Sequence, residues 1–398
     1  MQQEIAPPYN IKTVSFVQNS ENVFPYFKLG DTFTLYFDDL FGNEANYYYT
    51  IQHCNYDWTP SSQLTTNDYI QGFDNQRIQT YSNSFNTLQI YSRYELSFPN
   101  KFTRILLTGN YILSILNEDR EVVFTRRFIV YQETVSVPLQ VKRGRDMQNI
   151  QQTQNLDFAV KSESIMFQSP LTNVKVALFQ NGRFDNAIFN IKPQYTIGND
   201  LIYKYNKETQ FWGGNEYWYF ENKSIRNPVG NVLKVTSGEI YNTILYPTEA
   251  RGTKPYTNYP DVNGNFVIKN TNLSVSDNNL ESDYSWVYFK LSAPLLFDKK
   301  AVYVGGMFNN YAKTDEYKLD YNEKDNVYEK AIMIKQGFTN YMYILTNKDG
   351  SIDGADAPDG NYYQTENQYD IFVYYRQNNE RYDRVIGHGT ANSQDIIN

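Results

Sequence analysis

Two histidines and one cysteine among 398 residues leave imidazole or thiol chemistry three places to occur: His53, Cys54 and His388. His53 and Cys54 are consecutive within the run HCNYDWTPS from His53 to Ser61. In a strand, neighbouring side chains point to opposite faces, so local geometry cannot pair this thiol with this imidazole. A packed histidine and a packed, small apolar cysteine are the expectation. His388 stands between Gly387 and Gly389 near the C-terminus, where a flexible terminal residue is expected. A lone cysteine forms no intramolecular disulfide and no multi-cysteine metal site, and no H-x-x-x-H pair occurs. The carboxylates Asp38 and Asp39 are adjacent, whereas acid–base catalysis needs two groups converging on one substrate atom. Capping or turning the chain at a strand end is the expected role of this pair. Asp349, Asp353, Asp356 and Asp359 lack the spacing and terminal glutamate of a calcium-binding EF-hand loop, and read as an acidic, glycine-containing loop. No glycine-rich phosphate cradle and no G-x-S-x-G elbow occurs. The sequence therefore points to no catalytic residue, metal or cofactor, and to a protein that binds another macromolecule.

The elements that would position such residues are strands. Phe33 to Phe37 and Val122 to Val130 alternate apolar and polar positions, as do Val174, Val176 and Leu178, and Tyr341, Tyr343 and Leu345. Val135, Val137, Leu139 and Val141 share one face, and Pro138 between them marks an edge strand. Asn181-Gly182, Asn263-Gly264 and Asp349-Gly350 are candidate type I′ turns. No helical stripe of three turns appears, so the fold class expected is all-β, with tandem immunoglobulin-like or early-set-like β-sandwiches. The length suits two to three domains. Boundaries are expected at 1–132, 133–282 and 283–398, the middle unit carrying a long Asn/Pro-rich loop from Arg251 to Asp283 with a short strand at Phe266 to Ile268.

Charge restricts the partners. The net charge is −8, and the three expected units carry −4, +1 and −5. No basic face emerges, which argues against nucleic acid. No stretch of eighteen apolar residues occurs, so no transmembrane helix is expected. The N-terminus, Met1-Gln2-Gln3-Glu4, carries no signal peptide, and the single cysteine fits the cytosol and the periplasm equally. Aromatic content is 17%, with 37 Tyr and 25 Phe. Tyrosine suits both strands and binding surfaces. Between Asn55 and Leu88 lies a polar tract of about thirty residues, a length that in a compact domain signals function or disorder. It contains Trp58, Tyr69, Phe73, Arg77, Tyr81 and Phe85, too aromatic a set for disorder. It serves either as a binding tract or as a corner packed on its own sheet. If it binds, Trp58, Tyr69, Phe73, Arg77 and Tyr81 are the candidate partner-binding residues.

The same tract carries a family resemblance. The segments FPYFKLG from Phe24, FDDL from Phe37, HCNYDWTPS from His53, GFDNQRI from Gly72, SFNTL from Ser84 and FTRRF from Phe124 follow one another in the first unit. VKRGRD from Val141 and EYWYFENKSIRNP from Glu216 continue the series. Together they resemble the plug protein of the bacterial type IX secretion system. The resemblance implies a periplasmic, noncatalytic protein on the inner face of the outer membrane. Its partner would be the SprA-type outer-membrane translocon barrel, whose periplasmic mouth it closes. It would not insert into the membrane itself, and it would be a monomer when free. A second resemblance lies in the last unit. VYVGGMFNNY from Val302 and GFTNYMY from Gly337 are similar to glycogen-binding-like early-set sandwiches, with Tyr311 where that pattern usually has Trp. It implies, as the alternative function, a carbohydrate-binding module acting through the C-terminal domain.

Overall fold

A computed structural model describes residues 4–272, 275–293, 297 and 300–396. Strands dominate, and the α-helices among the described residues are three single turns of four residues.

The first sandwich shows why alternation produces a core. In the strand Phe33–Asp39, Phe33, Leu35 and Phe37 point inward while Thr34 and Tyr36 are only half-buried. Their cross-strand partners on Ser92–Phe98 are Phe98, Leu96 and Tyr94, so both strands give apolar side chains to one face. This sheet runs Glu21–Asn22, Ile11–Gln18, Phe33–Asp39, Ser92–Phe98, Thr80–Asn83. The facing sheet runs Tyr26–Lys28, Val122–Tyr131, Gly109–Leu116, Tyr48–Cys54, Gln76–Arg77. Phe27 stacks on Phe33 at 3.8 Å and Phe37 on Tyr94 at 5.0 Å between them.

The remaining strands form two further sandwiches, the third inserted in sequence between strands of the middle one. One sheet of the middle sandwich holds Leu139–Arg143, Thr153–Val160, Asp200–Tyr203 and Tyr195–Ile197, with Gln210–Trp212 beside Thr153–Val160. Its other sheet is Val174–Gln180, Gln368–Tyr375 and Arg384–Asn392. The last two strands of the protein therefore return to complete the middle unit, pairing Val174 with Tyr375 through Gln180 with Tyr369. The third sandwich lies between them in sequence. One of its sheets holds Trp218–Glu221, Gly337–Thr346, Phe266–Ile268 and Ala301–Gly305, and the other is built on Val232–Thr236, Tyr241–Leu245, Tyr284–Ser292 and Val327–Lys335. The boundary expected at 282/283 cuts through these sheets, and a continuous domain 283–398 does not exist. The physical reason is that period-two alternation reveals which face a strand buries, but not which distant strand it pairs with.

Leu139–Arg143 is an edge strand, as Pro138 suggests. Asn181-Gly182 and Asn263-Gly264 place both residues at positive φ, the type I′ geometry. At Asp349-Gly350 only the glycine does so, and the Gly350 N–H bonds to the Asn347 carbonyl at 3.0 Å. That hairpin closes by a type I turn with a left-handed glycine, not by type I′.

The expectation of a flexible His388 is also corrected. His388 sits in the strand Arg384–Asn392, its ring stacked on Phe372 at 4.7 Å and its Nε2 2.8 Å from Asp370 Oδ1. Its neighbours are glycines because a Cβ at 387 would lie 2.5 Å from Val135 Cγ2, and one at 389 would lie 2.5 Å from the Val137 carbonyl oxygen.

Candidate functional site

The aromatic tract is not a structureless loop. It supplies a helical turn at Thr66–Tyr69, the small strand pair Ile70–Gly72 with Thr103–Ile105, and edge strands to both sheets of the first sandwich. Its five candidate residues separate into two groups. Trp58 is fully buried at a left-handed position (φ 62°), packed edge-on to Phe184 with the Arg127 guanidinium 4.7 Å from its ring. Tyr69 is buried and its hydroxyl donates to the Ile51 carbonyl at 3.2 Å. Neither side chain is presented to a partner in the folded protein, which corrects the expectation for both. Phe73 is 72% exposed, and Arg77 is exposed on the edge strand Gln76–Arg77. Tyr81 is half-buried, its ring 5.5 Å from Tyr94 and its hydroxyl donating to Glu44 at 2.9 Å. Phe73 follows the strand Ile70–Gly72, its N–H bonded to the Phe102 carbonyl at 2.8 Å. Gly72 adopts φ 98°, and a Cβ there would lie 1.9 Å from the Phe102 carbonyl oxygen, so only glycine fits. The sequence did not single out Phe41, Leu88 and Ile90, which are also exposed. Ile90 lies against Gly42, next to Phe41, and Leu88 is anchored through its N–H to Asp283 at 2.6 Å.

His53 and Cys54 are inert. His53 is buried between Ser61, whose hydroxyl is 2.8 Å from Nδ1, and the Thr108 carbonyl, 3.2 Å from Nε2. Burial pushes its pKa down to about 4, so the imidazole is neutral near pH 7. Burial pushes the Cys54 thiol up to about 12, which removes the thiolate.

Two joints fix the first sandwich to the rest. Against the middle sandwich it packs an apolar, aromatic layer. Tyr26 meets Phe372 at 4.7 Å, and Cys54, Ile112 and Ile129 join the same buried cluster as Ala177, Phe179 and Val385. The Tyr56 hydroxyl donates to the Val176 carbonyl at 2.8 Å, and the Tyr374 hydroxyl to Asn110 Oδ1 at 2.7 Å. Against the third sandwich the joint is ionic. Asp38, fully buried, accepts from Arg93 at 2.9 Å, from Lys335 at 2.6 Å and from the Tyr284 hydroxyl at 2.7 Å. The Lys335 ammonium also stands 3.9 Å from the Tyr91 ring. Burial pushes Lys335 down to about 7 even though Asp38 opposes the shift. Asp39 points elsewhere, accepting from Asn10 at 2.8 Å and from the Tyr47 hydroxyl at 2.9 Å. The two carboxylates diverge as their strand requires: Asp38 anchors the joint, while Asp39 turns the chain at the strand end as expected, its Oδ1 accepting from the Phe41 N–H at 3.1 Å. The acidic doublet that closes the alternating strand Phe33–Asp39 was the signal for this joint.

The other acidic positions are also internally compensated. Lys300 bridges Asp353 at 2.6 Å and Asp356 at 2.7 Å, while Asp359 accepts from Trp218 Nε1, Arg251 and the Tyr343 N–H. Among the described residues no cluster of His, Cys, Asp and Glu is arranged to hold a metal, and no helix is long and apolar enough to cross a membrane.

Known proteins give the fold a family. Residues 11–132 match the model of the first domain of the type 9 secretion system plug protein. A solved structure described as a hypothetical protein from Parabacteroides merdae ATCC 43184 is similar over 98% of both chains, with 32% identity and a TM-score of 0.91. No curated protein matches. Over residues 11–132, the chain carries a first domain of the type 9 secretion system plug protein family.

Proposed function

We propose that this protein is the periplasmic, noncatalytic plug of a SprA-type outer-membrane β-barrel translocon, docking on its periplasmic mouth and closing it. The observation that carries this reading is the plug-family match over residues 11–132. The build of the molecule supports it. A plug must resist deformation, and buried aromatic and ionic joints fix the first sandwich to the other two. Of the five candidate contact residues, Phe73 and Arg77 remain available, an aromatic and a guanidinium of the kind enriched at interfaces. The protein acts without a cofactor, is a monomer when free, and inserts no segment of its own into the membrane.

The test is capture of the protein from envelope extracts together with a permeability assay on cells lacking it. A large outer-membrane barrel should co-purify, and loss of the plug should admit large antibiotics. No barrel in any gating state, together with an unchanged barrier, would refute the proposal. The carbohydrate reading has less support. Tyr311, at the position of the usual sugar-platform Trp, is buried, with the Arg183 guanidinium 4.6 Å from its ring and its hydroxyl 3.0 Å from that of Tyr217.

A further inference from the structure

Where the middle and third sandwiches meet, the side chains leave a cavity of about 170 Å³. The buried Phe211, Tyr217 and Tyr343 line it from within, and the half-buried Trp212, Ile188 and Ile352 line it toward the surface. A polar frame fixes both walls. On the middle sandwich, Gln180 Nε2 donates to the Trp212 carbonyl at 2.9 Å and Asn367 Nδ2 to the Gly213 carbonyl at 2.8 Å. On the third, the Asp353 N–H donates to the Leu345 carbonyl at 2.8 Å and Asn361 Nδ2 to the Gly354 carbonyl at 2.7 Å. The Gly214 N–H joins the two walls through Asn361 Oδ1 at 3.1 Å. Their edges already touch at glycines. A Cβ at Gly213 would lie 2.1 Å from the Tyr362 carbonyl oxygen, and one at Gly354 would lie 2.4 Å from Trp212 Cδ1. The walls therefore cannot close further over the space between them.

The lining limits what the cavity can take. Its charged residues are Arg183, Asp353 and Asp359, and each is already paired. Arg183 binds Asp185 at 2.9 Å, Asp353 binds Lys300 at 2.6 Å, and Asp359 binds Arg251 at 3.1 Å. A charged ligand would lose its water there without gaining a counter-ion, so a neutral one is favoured. One acceptor is left over. Asn186 gives its Nδ2 to Gln180 Oε1 at 2.9 Å, and its Oδ1 is buried with no hydrogen-bond partner among the described residues. Such an orphan calls for a donor. Size sets the rest: an apolar cavity of ~150 Å³ takes up benzene, so this one suits a single ring with one substituent.

We propose that this cavity is a binding site for a small neutral aromatic molecule, one ring carrying one hydrogen-bond donor, with the ring among Phe211, Trp212 and Tyr343 and the donor on Asn186 Oδ1. Pockets of this kind form where domains meet, with apolar walls and few polar groups to fix the ligand's orientation. The occupant touches both sandwiches at once, so binding fastens the middle unit to the third. The inference does not depend on the plug reading.

Titration calorimetry of the full chain with phenol tests it. Phenol is expected to bind once per chain with a Kd of about 0.1 mM. Toluene, of the same shape but without a donor, should bind about tenfold more weakly, the worth of one hydrogen bond. Ile188→Phe and Ala357→Leu each enlarge a lining side chain and should weaken phenol by about tenfold or more. Absence of phenol binding to the wild type would overturn the site, and so would unchanged binding in both variants. Toluene binding as tightly as phenol would overturn the role given to Asn186. If neither variant folds, Overhauser contacts between phenol and the Ile352 methyl groups in the wild type decide alone, their presence supporting the site and their absence overturning it.

Discussion

The joint between the first and middle sandwiches and the joint between the first and third solve one mechanical problem with opposite chemistry. The first is a layer of rings and aliphatic side chains around Phe372, whose stabilisation comes from removing apolar area from water. The second centres on a single buried carboxylate held by two cations and a phenol. Buried ion pairs contribute little net stability because desolvation offsets their attraction, but breaking one is costly. The aromatic joint therefore supplies adhesion, and the ionic joint supplies orientation. A body that presents one face to a pore, as proposed for this protein, would need both.

Removing the charge at the centre of the ionic joint should give the largest effect. Asp38→Ala leaves Lys335 and Arg93 buried without their shared partner, with an expected loss of about 3–5 kcal/mol in denaturant unfolding. Phe372→Ala should cost a comparable or slightly smaller amount, about 3–4 kcal/mol, through the cavity left in the aromatic joint. The paired replacement Asp38→Leu with Lys335→Met should recover most of the Asp38→Ala loss, ending within about 1–2 kcal/mol of wild type if orientation and not adhesion is what the ions contribute. A protein as destabilised as Asp38→Ala would contradict that division.

The two joints should also differ in pH response. Lys335 has a folded pKa of about 7, below the roughly 10.4 of an unfolded lysine, so the folded state binds fewer protons between those values. Stability from this site therefore rises with pH above 7 and is lost as pH falls through 7. Lys335→Met should remove that slope from unfolding measured between pH 7 and 9, while Phe372→Ala should keep it. The smallest effect on stability is expected at the exposed residues. Phe73→Ser with Arg77→Glu should change unfolding by no more than about 0.5 kcal/mol. The same pair should reduce barrel capture at least tenfold if this face docks.

Much of the fold was legible because alternation is local. Phe33, Leu35 and Phe37 declare a buried face without any knowledge of their partners, and Asn181-Gly182 declares its turn. The nesting was not legible, because nothing in residues 368–392 records that they pair with 174–180 across an inserted domain. The tract from Asn55 to Leu88 was rightly marked as unusual, but its composition could not separate inward from outward rings. Trp58 is turned inward by its left-handed backbone and by the middle sandwich above it, and the exposed Phe73 follows a Gly72 pressed against the Phe102 carbonyl. Both contacts are tertiary. His388 was misread for the same reason: its neighbouring glycines resemble a loose tail until Val135 and Val137 lie against them.

Site-specific photo-crosslinking from position 73 in living cells tests the central claim most directly. The account predicts that a crosslinker at Phe73 captures a large outer-membrane barrel, while one at Met166, equally exposed on the middle sandwich, does not. Capture of no barrel from position 73, or equal capture from both positions, would contradict docking through the aromatic tract.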